Sequence, residues 1–188
     1  MDSVVSLRRP TPDDAELIHA WRAQPSIGRF QPTRLLPVEH WRDELARQAA
    51  RPLDSSLAAK VQWLIEEDDL PAGWISLDVT SRTHGIAAIG YSVSEEFRGR
   101  RLVGRALRQV IAMAFDPGVL ALERLEAVCS GLNVPSRRVL AAAGFREEGI
   151  ARGLLIINGE RVDHIMWGLL RTDLTDSDRN HDNSPSSI

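Results

Sequence analysis

One stretch decides the fold: Phe97-Arg98-Gly99-Arg100-Arg101-Leu102-Val103-Gly104-Arg105-Ala106. It follows a strand-like segment, residues 85–93, and leads into apolar residues at helical spacing, namely Val103, Ala106, Leu107, Val110, Ile111 and Ala114. The backbone amides at the start of a helix have no partner within the helix, and with the helix dipole they attract anions. Gly99 lets the backbone approach a phosphate closely, and the arginines add positive charge. The stretch therefore predicts a pyrophosphate site between a strand and a long helix.

Two other interpretations of this stretch have to be weighed. Arginines beside a glycine also occur in a solvated basic helix start that binds nothing. Gly99 and Gly104 have the G-x-x-x-x-G spacing of a nucleotide phosphate loop, but Arg105 and Ala106 stand where that loop needs Lys and Ser or Thr. The phosphate-loop interpretation is therefore weak, whereas the anion site and the solvated turn stay open on these residues alone.

The rest of the chain adds strands and helices around this stretch. Strands are predicted near residues 4–7, 60–67, 74–80, 85–93, 125–129, 145–152 and 161–170. Helices are predicted from Thr11-Pro12 onward and over about 38–48, 103–115 and 135–143. Pro71-Ala72-Gly73 and Asn158-Gly159 predict turns. The pattern indicates an α+β fold with a mixed central sheet of about seven strands flanked by helices, an α/β/α sandwich.

Length and charge limit the classes of protein that need to be considered. The 188 residues suit one domain, predicted over 1–171, and the polar stretch 172–188 predicts a disordered tail. With 23 basic and 26 acidic residues the net charge is −3, which argues against a general nucleic-acid or membrane-surface binder.

Cysteine and histidine usage points to a reducing compartment and to no metal. Cys129 is the one cysteine, which fits a cytoplasmic protein, and its apolar strand predicts a buried, inert thiol. The start of the chain has no signal-peptide core, and no apolar run approaches a membrane span. The five histidines are scattered, so no metal site is expected.

Three blocks of residues resemble a known family. The first is Ile89-Gly90-Tyr91-Ser92-Val93 with Phe97-Arg98-Gly99-Arg100 and Arg105-Ala106-Leu107. The second runs over 122–127 and 133–149, and the third is Asn158-Gly159-Glu160-Arg161-Val162-Asp163-His164. In this order they resemble the GNAT acetyltransferases, and most closely their RimJ/RimL group, whose named members acetylate ribosomal-protein N-termini. The resemblance covers about residues 3–170.

The resemblance implies transfer of an acetyl group from acetyl-CoA to a primary amine by direct attack in a ternary complex. The implied cofactor-binding residues are Tyr91, Ser92, Val93, Arg98, Gly99, Arg100, Arg101, Leu102, Val103, Gly104, Asn133 and Ser136. Val93 would lend backbone groups at a splayed strand end, the turn 98–104 would hold the pyrophosphate, and Asn133 would bind the pantetheine arm. Ser136 would help to protonate the leaving thiolate. Asp163 would bind a cationic acceptor or hold a loop.

The chain departs from the family pattern in its turn and in its acid–base residues. Arg101 and Val103 occupy positions that are commonly small, and Arg101 is expected to fit if its φ is negative. Ala88 stands where a Glu is frequent, and Leu140 replaces the Tyr of other branches. Among the remaining candidate proton acceptors, Glu66, Glu67 and Glu95 are interpreted as solvated surface carboxylates, and His164 as a packing residue.

The acceptor is left open by the sequence. The acceptor classes considered are a protein N-terminus, an amino sugar and an aminoglycoside. The amino sugar is included because Trp21-Arg22 and His40-Trp41 are similar to some sugar-amine acetyltransferases. Packing of the two helices on the sheet explains the same tryptophans equally well. Ala88 and Arg101 also favour, slightly, a protein that binds CoA without catalysis, as a sensor or scaffold. A homodimer is compatible with the group, although no sequence pattern indicates one.

Overall fold

The computed structural model describes residues 3–32 and 35–174. Its strands are β1 (Val5–Arg8), β2 (Lys60–Glu67), β3 (Leu70–Ser81), β4 (Ile86–Val93), β5 (Arg124–Ser130), β6 (Arg146–Ile157) and β7 (Glu160–Leu170). Its helices are α1 (Ala15–Arg22), α2 (Pro25–Gly28), α3 (Val38–Ala49), α4 (Leu102–Phe115) and α5 (Val134–Ala142). Short 3-10 turns lie at Pro12–Asp14 and Glu95–Phe97.

The strands form one seven-stranded sheet in the order β1-β2-β3-β4-β5-β7-β6. Every neighbouring pair is antiparallel except β4 and β5, which run parallel. The order confirms the predicted mixed sheet, and its strands β2 to β4 form an antiparallel meander.

Alternating side chains of the sheet supply two separate cores. On one face Val61, Ile75 and Leu125 pack with the apolar side of α4, which includes Ala106 and Val110. On the other face a smaller core joins α1 and α3 to the sheet through Ile18, Trp21, Leu45, Leu64 and Trp74. Because strand side chains alternate between faces, β2 and β3 contribute to both layers, which is the predicted sandwich.

The structure corrects three details of the predicted elements. Pro71 and Gly73 lie inside β3, and the turn is instead made by Asp68 and Asp69, whose φ values are 50° and 65°. A register shift between Ile65 and Glu66 accommodates the proline, which has no amide to donate. Strand β6 runs to Ile157, and α2 was not predicted because four residues are too few for a periodic signal.

The structure describes only the first three residues of the predicted tail, 172–188. Residues 172–174 are described, and Asp173 accepts a hydrogen bond from the Leu170 amide at 2.9 Å and pairs with Arg146 at 2.9 Å. The rest of the predicted tail lies outside the described residues. Within the described residues, no helix is long and apolar enough to cross a membrane, and no group of three or more His, Cys, Asp or Glu side chains could hold a metal ion.

Candidate functional site

The site begins where the two parallel strands of the sheet diverge. Strands β4 and β5 pair only from Ile86 to Ala88, opposite Arg124 to Glu126. Beyond Ala88, β4 stays paired with β3 up to Val93, so its other edge faces a gap. The amide of Ser94 donates to the carbonyl of Ala72 at 2.9 Å, on the β3 side. Because backbone groups alternate along an antiparallel strand, those of Val93 point into the gap.

Two residues without a predicted role in the site shape this gap. Gln31, after α2, donates from Nε2 to the carbonyl of Tyr91 at 3.0 Å, which ties the segment after α2 to the free edge of β4. Gly73 lies opposite Val93, and a Cβ there would collide with the Ser92 carbonyl oxygen and come within 2.8 Å of the Val93 Cα. The sequence could not identify either residue, because a glutamine in a loop and a glycine in a strand are both common where no such gap exists.

The turn before α4 presents backbone amides to the same cavity. Gly99 has a φ of 78°, and Arg101 caps the helix with φ 58° and ψ 22°. Among the described residues, the amides from Gly99 to Gly104 donate no hydrogen bond. The negative φ on which the fit of Arg101 to the turn was made conditional is therefore not observed. The chain takes the left-handed conformation that glycine adopts freely, at a cost of about 1 kcal/mol for an L residue.

The arginines of the turn are not equally available to a ligand. Arg98 donates to Ser26 of α2 at 2.7 Å, and Arg100 pairs with Glu67 at 2.8 Å. Arg105 donates to the carbonyl and hydroxyl of Ser3. The side chain of Arg101 is exposed and makes no hydrogen bond or ion pair with any described residue.

Of the three carboxylates expected to be solvated, Glu67 is buried and Glu66 is half-buried, and both are in ion pairs. Glu67 is 7% exposed and accepts from Ser3 as well as Arg100, so that Arg100 neutralises its charge at the edge of the cavity. Glu66 accepts from Arg8 at 2.8 Å. Glu95 is exposed, as predicted.

Tyr91 and Ser136 form the polar centre of the site. The Tyr91 hydroxyl lies 2.8 Å from the Ser136 Oγ, across the gap between β4 and α5. Asn133 caps α5 by accepting from the Ser136 amide at 3.2 Å, which fixes the serine at the first turn. Burial raises the pKa of Tyr91 to about 12, and the hydrogen bond from Ser136 only partly opposes that rise. The phenol is therefore neutral, and can donate a proton, at physiological pH.

Every residue predicted to bind the cofactor lines one cavity of about 1360 Å³. The cavity runs from the turn before α4, past the free edge of β4, to the first turn of α5. The Gly104 Cα faces it, since a Cβ added there would meet no protein atom within 4 Å. The remaining predicted site residue, Asp163, does not line this cavity.

Asp163, His164 and Cys129 have structural partners. The Asp163 carboxylate accepts from the Gly153 amide at 2.7 Å and so holds a bulge of β6. His164 is 1% exposed, with Nδ1 3.0 Å from the Val162 carbonyl oxygen, which agrees with a packing residue. Cys129 is buried, and burial raises the pKa of its thiol, as expected for an inert cysteine.

Comparison with known proteins agrees with this geometry. The sequence profile of the family described as Acetyltransferase (GNAT) domain matches residues 5–146. A relative from Bacillus subtilis, Probable N-acetyltransferase YjcK, is 37% identical over 107 residues, which are 56% of this chain and 58% of that protein. The chain thus aligns with little more than half the length of that relative.

Solved structures match over nearly the whole chain. The ribosomal-protein-S5-alanine acetyltransferase of Vibrio fischeri is 25% identical with a TM-score of 0.78, covering 91% of this chain and 97% of that one. RimJ of Mycobacterium smegmatis, in complex with CoA-disulfide, is also 25% identical with a TM-score of 0.78, covering 95% and 91%. The profile, the sheet order and the gap between β4 and β5 lead to one conclusion: the chain belongs to the GNAT acetyltransferase family.

Proposed function

We propose that this protein transfers an acetyl group from acetyl-CoA to a primary amine. The observation that carries the proposal is one cavity that joins three features: the free amides before α4, the backbone groups of Val93, and the Tyr91–Ser136 pair. Known structures of the family hold CoA, as in RimJ of Mycobacterium smegmatis. When bound, acetyl-CoA supplies a thioester whose C–S bond breaks as the amine forms a C–N bond.

The residues of the cavity fit that ligand. The amides from Gly99 to Gly104 and the unpaired guanidinium of Arg101 suit a pyrophosphate. Gly104 leaves a concave surface for it, because no side chain fills the space beside its Cα. Asn133 also lines the cavity, and its side-chain amino group can donate to an amide oxygen of the ligand.

Each group in the gap has a separate task. The Val93 amide would donate to the acetyl carbonyl oxygen, which gains negative charge as the amine attacks. Tyr91 and Ser136 would share one hydrogen bond and present their other proton to the leaving sulfur, since burial keeps the phenol protonated. Water would take the amine proton, because Ala88 provides no carboxylate. Asp163 would support the β6 bulge rather than the chemistry.

The test is release of free thiol from acetyl-CoA in the presence of a panel of amines and short peptides. We expect amine-dependent release, and we expect Ser136→Ala to lower kcat by about 10-fold to 100-fold, at the low end of acid catalysis because a thiolate is a good leaving group. Tight CoA binding without release for any amine would overturn the proposal. That result would favour the alternative of a CoA-binding sensor or scaffold.

A further inference from the structure

A second cavity, on the opposite side of α2 from the first, is lined by Arg22, a cation whose side chain has no hydrogen-bond or ion-pair partner among the described residues. It measures about 410 Å³ and is lined by Arg22, Gln24, Pro25 and Asn158, among others, with no carboxylate among the described residues that line it. Ser26 and Ile27 of α2 line the larger cavity, so the two cavities lie close together. A volume of this size holds a small organic molecule.

Arg22 is held there by aromatic rings rather than by an anion. Its guanidinium carbon lies 4.2 Å from the ring centre of Trp41 and 5.1 Å from that of Trp74. Its Nε is buried and unpaired, and its side chain makes no hydrogen bond or ion pair with any described residue. Stacking on two indoles fixes the plane of the guanidinium and leaves its N–H groups free for a ligand.

The charges around Arg22 make an anionic ligand the natural partner. Burial lowers the pKa of Arg22, and both burial and the charge of Arg22 lower the pKa of Lys60 on the neighbouring strand. Asp78 and Glu44 raise the pKa of Lys60, whereas no carboxylate offsets the burial of Arg22. A buried guanidinium normally has a carboxylate or phosphate partner, since its desolvation is costly. Here the ligand would provide it.

The position of Arg22 relates this cavity to the acetyl site. Trp74 faces α1, and its register partner on the adjacent strand β4 is Ser92, the residue before Val93. Adjacent strands lie about 5 Å apart, so Arg22 sits above the end of β4. It lies on the face opposite to Tyr91, which pairs with Ile75 of the other core. An acceptor anchored at Arg22 would therefore approach the gap from the face opposite the Tyr91–Ser136 pair.

We infer that Arg22 binds a carboxylate of the acceptor, and that the preferred acceptors are primary amines with a carboxylate near the amino group. A free amino acid and a peptide beginning with an acidic residue share this chemistry. A polyamine or an aminoglycoside, with several positive charges, is disfavoured by the same side chain. The inference rests on the proposed function and names its acceptor class.

The experiment compares matched acceptors that differ only in the carboxylate. Thiol release is measured for a free amino acid against its amide, and for a peptide with aspartate against one with asparagine at the same early position. We expect kcat/KM to be about 10-fold or more higher for the acidic member of at least one pair, since a hydrogen bond to a charged group is strong. The pair that responds identifies the source of the carboxylate.

Variants of Arg22 assign the preference to that side chain. In Arg22→Gln the ratio of kcat/KM for the acidic acceptor to that for the amide acceptor should fall to about one, because the loss falls on the acidic acceptor. Arg42→Gln is the control, because Arg42 is an exposed arginine of α3 whose side chain forms an ion pair with the exposed Glu16, at 3.9 Å. If Arg22→Gln does not fold, Arg22→Lys, which keeps the charge but loses the planar fork, should retain part of the preference.

Binding provides a readout that does not depend on turnover. N-acetylated amino acid, with CoA present, should raise the Tm of the wild-type protein more than its amide does, and Arg22→Gln should remove the difference. Equal rates and equal Tm shifts for acids and amides in the wild type would overturn the inference. Absence of turnover with a preserved acid-specific Tm shift would contradict the proposed function and leave the Arg22 site standing.

Discussion

Tyr91 is the only tyrosine of the chain, so its ionisation can be observed without interference. The structure gives it a partner that the sequence did not predict. The family pattern places a phenol on α5, at Leu140, whereas here a phenol reaches the same helix from β4 and contacts Ser136. A contact between residues 45 positions apart depends on the sheet register, which no local pattern contains.

The raised pKa of Tyr91 predicts a pH dependence. Below pH about 10 the phenol is neutral in both the folded and the unfolded chain and contributes no difference. Between pH about 10 and 12 the unfolded chain ionises first, so the free energy of unfolding falls by about 2 to 3 kcal/mol. We expect ultraviolet absorbance to show no tyrosinate near pH 10.5 while circular dichroism remains native. Formation of tyrosinate at the ordinary pKa in the folded protein would contradict the burial of the phenol. Between pH about 10 and 12, the free energy of unfolding of Tyr91→Phe should fall less than that of the wild type.

Gly104 offers a second test at the scale of one residue. Replacement by alanine in α4 should raise the free energy of unfolding by up to about 1 kcal/mol, because alanine favours helix and its Cβ meets no protein atom. The same methyl group would occupy the space proposed for the pyrophosphate, so the Kd for CoA should rise by about 10-fold. Denaturant unfolding and calorimetry measure the two effects. An unchanged Kd would place the phosphates elsewhere.

At the scale of elements, the turn and helix α4 were predictable because their residues are contiguous. The glycine, the basic residues and the helical spacing all lie within residues 97–114. The gap beside β4 was expected only from the family resemblance, since it depends on how far β5 pairs with β4. The β6 bulge held by Asp163 was missed because a register shift leaves no periodic signal.

Gly73 determines how closely β3 approaches the end of β4, and its replacement tests the packing of these two strands. Gly73→Ala would push a methyl group against Ser92 and Val93 backbone atoms, which can move only if β4 shifts. We expect a loss of about 1 to 3 kcal/mol in stability and weaker CoA binding. Gly90→Ala is the matched control for stability, because its Cβ would meet only the Ser76 Oγ, at 3.5 Å. Equal stability of the two variants would contradict this account of the gap.

At the scale of the whole molecule, the sheet separates two tasks. The face covered by α4 carries the cavity proposed for acetyl-CoA, and the face covered by α1 and α3 carries Arg22 and its tryptophans. The order of elements and the α+β class followed from hydrophobic periodicity. The unpaired state of Arg22 did not, because the sequence shows an arginine beside a tryptophan without showing which charges surround it.

The central claim is that this cavity brings acetyl-CoA and an amine together for direct transfer. The most direct test is the initial rate of thiol release over a matrix of acetyl-CoA and amine concentrations, with a carboxylate-bearing amine as acceptor. The account predicts intersecting double-reciprocal lines, because both substrates must be bound and Cys129 is too buried to carry the acetyl group. Parallel lines, which indicate an acetylated enzyme, or no amine-dependent release from folded protein that binds CoA, would contradict it.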